Sequence, residues 1–157
     1  MARRKILGLE ELRRKLARLP AVAKAMIRTA MEQGATEIVA MMKNLVAVDD
    51  GDLRDSIGWT WGKAPKGALT IATVTGTGSA SDLLLTIYAG NEKAYYARFV
   101  EFGTAAHAAG GKFAGATIPA ISPAPFFFVS YRSLKKRTRD RITRATNKAA
   151  KQVAAGG

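Results

Sequence analysis

Tyr95-Tyr96-Ala97-Arg98-Phe99-Val100-Glu101-Phe102-Gly103-Thr104 is the stretch on which the fold of this 157-residue chain turns. At helical spacing Tyr95, Phe99 and Phe102 fall on one stripe, with Tyr96 and Val100 beside it. Arg98 and Glu101, three apart, share the opposite face, where they can pair in water. Gly103 supplies a left-handed stop at no side-chain cost. The pattern predicts a short helix over residues 94–102, with its aromatic face in the core of an α+β domain. Glu101 reads as a surface or capping partner, not a catalytic acid.

Upstream, the hydrophobic period is two. Ile57, Trp59 and Trp61 alternate with Gly58 and Thr60, as a half-buried strand should. Leu69 to Val74 is a second strand, Gly76 to Ser81 a loop, and Leu83 to Tyr88 a third strand. Short turns between them suggest an antiparallel meander packed on a long helix. That helix runs from Ala21 to about Ala47, where Val22, Met26, Ala30, Met31, Ile38, Met41, Met42 and Leu45 recur near the helical period. Gly34 at its centre costs about 1 kcal/mol against alanine and marks a close crossing or a bend. Before it, Gly8 to Leu19 reads as a short basic helix closed by Pro20.

Downstream, residues 104–122 are rich in Ala and Gly and lack a period, so they read as a long loop that orders against a neighbouring subunit. Pro119, Pro123 and Pro125 stiffen the approach to a last helix. In it Tyr131, Leu134, Thr138, Ile142, Ala145, Ala149 and Val153 step by three and four. The expected architecture is a single α+β domain over 1–157. A long N-terminal helix and a basic C-terminal helix pack on a small antiparallel sheet with a short aromatic helix. Residues 1–7 and 154–157 read as flexible ends.

This length suits one hydrophobic core, and 48% apolar residues argue against disorder across the body. No run approaches the length of a membrane span, and the basic start lacks the apolar segment of a secretory signal. The absence of cysteine excludes disulfides and thiolate metal sites, and fits a reducing cytoplasm. The net charge of +13 is uneven. Residues 1–30 carry nine Lys/Arg and two Glu, a net of +7, and residues 132–157 carry nine against Asp140 alone, a net of +8. The middle is near neutral. Basic ends point to phosphates or to an acidic protein surface.

Catalytic chemistry finds little support. His107 is the only histidine and lies in the Ala/Gly segment, with no G-x-S-x-G elbow to serve. Asp49, Asp50, Asp52 and Asp55 lack calcium-loop spacing. Asp49 or Asp52 capping the turn Leu53–Ile57, with Gly51 taking the tight backbone angle and Arg54 pairing with a carboxylate, explains them better. Gly76-Thr77-Gly78-Ser79 lacks the Lys and the following helix of a phosphate loop. No catalytic residue, cofactor or metal site is expected. The strongest contact surface is the last helix, where Arg132, Lys135, Lys136, Arg137, Arg139, Arg141, Arg144, Lys148 and Lys151 could meet a DNA backbone without reading bases. The same side chains could instead meet acidic rims of a neighbouring protein.

Tyr96 to Thr104 closely resembles the Y-A-x-Y-V-E-F-G-T signature of a family of tailed-phage neck and tail-completion proteins, the gene-ten-product-like family of a lambdoid siphophage. Two further marks stand in order. Asp49-Asp50-Gly51-Asp52-Leu53-Arg54-Asp55-Ser56-Ile57 is similar to the family's D-T-G-x-L-R-x-S-I, with Asp50 in place of threonine. Pro123-Ala124-Pro125-Phe126-Phe127 is similar to its P-x-P-F-L, with Phe127 in place of leucine. The landmarks span residues 8–153. On this basis Gly51, Leu53, Arg54, Ser56, Tyr96, Ala97, Phe99, Val100, Glu101, Phe102, Gly103, Thr104, Pro125 and Phe126 are the family's motif and core positions.

The resemblance implies a non-enzymatic virion protein of the neck or head-proximal tail end, assembled in the host cytoplasm. It would form a homo-oligomeric ring, six-fold by analogy, that completes the tail or joins it to the head. Head-closure, tail-terminator or tail-tube proteins would be its neighbours, with non-specific contact to packaged double-stranded DNA and none to membrane. The competing class is a sequence-independent double-stranded DNA-binding protein.

Overall fold

The apolar periodicity near each end of the chain becomes a long helix in the computed structural model, which describes residues 21–70 and 83–154. In chain order the elements are helix α1 (Ala21–Leu45), the one-turn helix α2 (Asp52–Asp55), and strands β1 (Gly58–Trp61), β2 (Leu69–Thr70) and β3 (Leu85–Ala89). Helix α3 (Ala97–Phe102), strands β4 (His107–Ala108) and β5 (Thr117–Ile118), and helix α4 (Phe127–Ala154) follow. The α+β architecture is the expected one. The helix Gly8–Leu19, the ends 1–7 and 155–157, the second strand beyond Thr70 and the loop Gly76–Ser81 lie outside the described residues.

α1 and α4 make the most extensive contact in the fold. Met42 and Val46 share the core with Phe126 and Phe127, and Gly34 faces Thr138 farther along, so the helices run in opposite directions. Gly34 marks a close crossing, as expected: a methyl group there would drive into the Thr138 side chain. The inward stripe of α1 is Ala23, Ile27, Ala30, Ala35, Ile38 and Met42. Leu45, assigned to that stripe from sequence, is exposed, and Val46 is buried in its place. From Met42 the inward direction recurs four residues on, where Val46 donates its N–H to the Met42 carbonyl at 2.9 Å.

The sheet is antiparallel in the order β1–β3–β2, with Trp59 opposite Ile87 and Leu69 opposite Ala89. A meander would have put β2 in the middle, and that expectation fails. β3 instead takes β1 along one edge and β2 along the other. The sheet rests on α1 through its indoles. Trp59 donates its ring N–H to Thr36 at 3.2 Å, and Trp61 donates to Glu32 at 3.0 Å. Two residues along a strand thus match one helical turn, because both steps advance about 6 Å. Arg28, one turn before Glu32, lies 3.9 Å over the Trp61 ring.

Thr138 is β-branched and stiff, and its buried hydroxyl has no partner. Gly34→Ala should therefore lower stability by about 1–3 kcal/mol through overpacking, despite alanine's better helix propensity. Adding Thr138→Ala should recover most of the loss. Urea midpoints of the two single variants and the double variant check this; simple additivity would contradict a shared contact.

Candidate functional site

α4 enters through Pro125-Phe126 and has no acidic residue in its first turn, so its first N–H groups need a partner from elsewhere. Glu101 supplies it. One carboxylate oxygen accepts the backbone N–H groups of Phe126 and Phe127, both at 2.8 Å, and the other accepts that of Phe128 at 3.0 Å. Glu101 is only 4% exposed. A carboxylate in such a place is tolerable because it is hydrogen-bonded and sits at the positive end of a helix. The surface pairing of Glu101 with Arg98 is thus corrected: Arg98 stays exposed, and of the two roles read from sequence the capping one holds.

Turning Glu101 inward turns the aromatic stripe outward. Ala94, Ala97, Tyr96 and Val100 pack on the core, while Tyr95 is 65%, Phe99 41% and Phe102 57% exposed. The expectation that this stripe fills the core is wrong, because the aromatic and Glu101 faces cannot both point in and the buried cap decides. Tyr95 and Phe99 meet edge to face at 6.5 Å, and Phe102 reaches the half-buried Phe128 at 5.8 Å. The result is an open aromatic face across α3 and the start of α4.

The segment after α3 is more ordered than its composition suggests. Gly103 donates its N–H to the Phe99 carbonyl at 2.8 Å and takes φ 72°. A side chain there would strike the Ile121 carbonyl and Pro123. Thr104 and Ile121 exchange backbone hydrogen bonds at 3.0 Å in each direction, and Ala124 N–H reaches the Val100 carbonyl at 2.8 Å. From this closed base rises the hairpin β4–β5, with His107 opposite Ile118 and a 3-10 turn at Gly111–Phe113. His107 is exposed, its Nδ1 3.1 Å from the Ala105 carbonyl.

The acidic turn is built differently from the expectation. Gly51 takes φ 92°, as foreseen, but Asp50, not Asp49 or Asp52, closes the turn by accepting the Asp52 N–H at 3.0 Å. Asp52 pairs with Lys93 at 2.7 Å, not with Arg54, which is exposed. Ser56 is the motif's structural member: its hydroxyl donates to the Leu53 carbonyl at 2.7 Å and accepts the Gly90 N–H at 3.0 Å, tying the turn to the end of β3. Leu53 is buried in the same core as Ala97 and Phe126. Among the described residues no group of three or more His, Asp or Glu is placed to hold a metal ion.

The basic helix divides in two. Arg141 and Arg137 converge on Glu37 of α1, at 2.5 Å and 3.3 Å, and help fasten the helix pair; Arg141 is largely covered there, while Arg137 keeps 64% of its side chain exposed. Lys135 lies 5.7 Å from the Tyr131 ring centre. Arg132, Lys136, Arg139, Arg144, Lys148 and Lys151 remain exposed, with no carboxylate in ion-pair reach among the described residues.

Two predictions follow from these pairings. Glu101→Ala should cost about 3 kcal/mol or more, since three N–H groups lose a charged acceptor, with Glu101→Gln falling between; denaturant midpoints measure both. The Glu37 carboxyl lies below its ordinary value of 4.5, first through its hydrogen bond to Arg141, which outweighs the upward push of burial, and further through the charges of Arg141 and Arg137. A lowered folded-state value means its stabilisation is complete above 4.5 and fades as pH falls through that lower value. The melting-temperature gap between native chain and Glu37→Gln should therefore be widest near neutrality and close in acid. A gap independent of pH would contradict the pairing.

A model of the family described as "Bacteriophage HK97-gp10, putative tail-component" matches residues 10–103, more than half of the chain. The match takes in the acidic turn, the described strands β1 to β3, and α3 with its Gly103 stop; the β4–β5 hairpin and α4 lie beyond it. No curated protein and no solved structure matches the chain. With Gly51, Ser56, Glu101 and Gly103 each in a definite structural role inside the matched stretch, the chain belongs to the HK97-gp10-like family of bacteriophage tail components.

Proposed function

We propose that the chain is a non-enzymatic subunit of the phage neck or head-proximal tail end, where a homo-oligomeric ring completes the tail or joins it to the head. The observation that carries this is the open aromatic face of Tyr95, Phe99 and Phe102. Large aromatic side chains of this kind bury about 150–250 Å² each when covered, and contiguous exposed apolar surface marks an interaction site. The face is held in place by the buried Glu101 cap, so it is presented rigidly, as an assembly interface requires. Six-fold symmetry, head-closure, tail-terminator or tail-tube neighbours, and a place in the virion after assembly in the host cytoplasm are the natural extensions of family membership. Among the described residues no helix is long and apolar enough to cross a membrane.

The exposed cations of α4 favour a second reading, non-specific binding of double-stranded DNA. In a ring the same cations would face a DNA-filled channel, or acidic rims of a neighbouring ring. Light scattering with negative-stain images should show ring-sized particles for the native chain, and Phe99→Ser/Phe102→Ser should shift them to monomers with the melting temperature retained. A native chain that stays monomeric and ignores tail and head-closure proteins would count against the assembly role. DNA retention that survives about 200 mM salt would favour the DNA-binding reading instead.

A further inference from the structure

From Ala105 to Pro125 every residue except Ala109 is exposed, and the two strands of the hairpin pair over two residues each. A lone two-stranded hairpin is marginal in water unless another surface packs on it. Its tip offers a specific contact. Lys112 and Phe113 end the 3-10 turn, and Phe113 is 74% exposed. Lys112 is the only Lys, Arg, Asp or Glu between Thr104 and Ser130. The projection therefore presents one aromatic ring beside one cation.

Two recesses on the body could receive such a tip. One, of about 270 Å³, lies between the Gly67–Leu69 turn and α3, and Arg98 is its only charged lining residue. Lys112 would meet a like charge there. The other, of about 240 Å³, lies between the acidic turn and α3. Val48, Leu53 and Val100 give it an apolar wall, and Asp49 and Asp50 outnumber Arg54 at its rim. Val48 is 59% exposed, so the wall is open. The Tyr96 phenol on the same lining is held above its ordinary value, by burial first and then by Asp50, Asp52 and Asp49, which marks the potential as negative. For scale, an apolar cavity of about 150 Å³ accepts a benzene ring.

We infer that the hairpin tip of one copy enters the recess between the acidic turn and α3 of the next, with Phe113 against Val48 and Val100 and Lys112 facing Asp49 and Asp50. The inference rests on the reading of the chain as a ring subunit, and it names two patches such a ring uses. Tip and recess are different surfaces, so the contact is heterologous and propagates from subunit to subunit until the rotation closes. A second copy is favoured as occupant because this same chain carries both the ring-plus-cation and its acidic, apolar counterpart.

The chain has no cysteine, so disulfide trapping reads engineered thiols alone. Val48→Cys and Phe113→Cys sit at exposed positions where folding is not at stake. Mixed under mild oxidation, the two single variants should give one crossed dimer, since a bond requires Cα atoms within about 7 Å. The chain carrying both substitutions should give a ladder of linked multimers. In parallel, Lys112→Asp should raise the concentration for half-assembly about tenfold, and adding Asp49→Lys should recover most of it. A Phe113→Cys variant bonding to itself would mean a two-fold contact and overturn the pairing. No crossed bond in a chain that light scattering shows to be oligomeric would overturn the pairing but leave the ring reading standing. A native chain monomeric at every concentration would remove both.

Discussion

The carboxylate of Glu101 against the N–H groups of Phe126, Phe127 and Phe128 is the contact on which the rest of the molecule's surface depends. A helix of 28 residues that begins after Pro125 with three phenylalanines has no polar side chain of its own to satisfy its first turn. The acceptor arrives from α3, some 25 residues earlier in the chain. Because the cap is tertiary, it does two things at once: it ends an otherwise uncapped helix, and it sets the rotation of α3 about its axis. With Glu101 and Ala97 facing inward, Tyr95, Phe99 and Phe102 have only the outside left. The aromatic face follows from an electrostatic requirement at the other side of the same short helix.

That dependence also explains what could be read from the sequence and what could not. Long-range periodicity was sufficient for α1 and α4, since their apolar residues recur over many turns and one slip changes little. The close crossing at Gly34 was legible too, because a glycine inside a strong helical pattern needs a packing reason. α3 is the opposite case. Over six residues the aromatic stripe and the Ala97–Glu101 stripe are equally regular, and hydrophobicity favours the wrong one. Only knowledge of where α4 begins, and of its missing cap, reverses the choice. The sheet order likewise does not follow from alternation, which shows which residues share a face but not which strands are neighbours. The cap expected from Asp49 or Asp52 falls to Asp50 for a similar reason: Lys93, which takes Asp52, lies 41 residues away.

The basic character of α4 looks uniform in the sequence and is not uniform in the fold. Arg137 and Arg141, one turn apart, meet Glu37 of α1, and of the two only Arg141 is largely covered. Such a pairing adds orientation to an interface that small residues have already brought close, at Gly34 against Thr138. The apolar stripe of α4 then lies on α1, and the arginines beside it mark the boundary between packed and open sides. Of the nine cations of α4, Arg141 is the one that the helix pair largely withdraws from a nucleic acid or an acidic partner.

Around α3 the surfaces are coupled through a short stretch of backbone. Gly103 leaves the helix, Thr104 and Ile121 close the base of the hairpin, Ala124 returns to the Val100 carbonyl, and Phe126 meets Glu101. Both sides of the projection are thus anchored to residues 99–104. Movement of the hairpin would have to pull on the Val100 carbonyl or on the cap of α4, and both belong to the element that presents the aromatic face. The hairpin therefore cannot be repositioned without disturbing the aromatic face. Hairpin, aromatic face and first turn of α4 are thus one hydrogen-bonded unit, so a partner bound at the hairpin or at the aromatic face would meet a surface already fixed to the helix that bears the open charge.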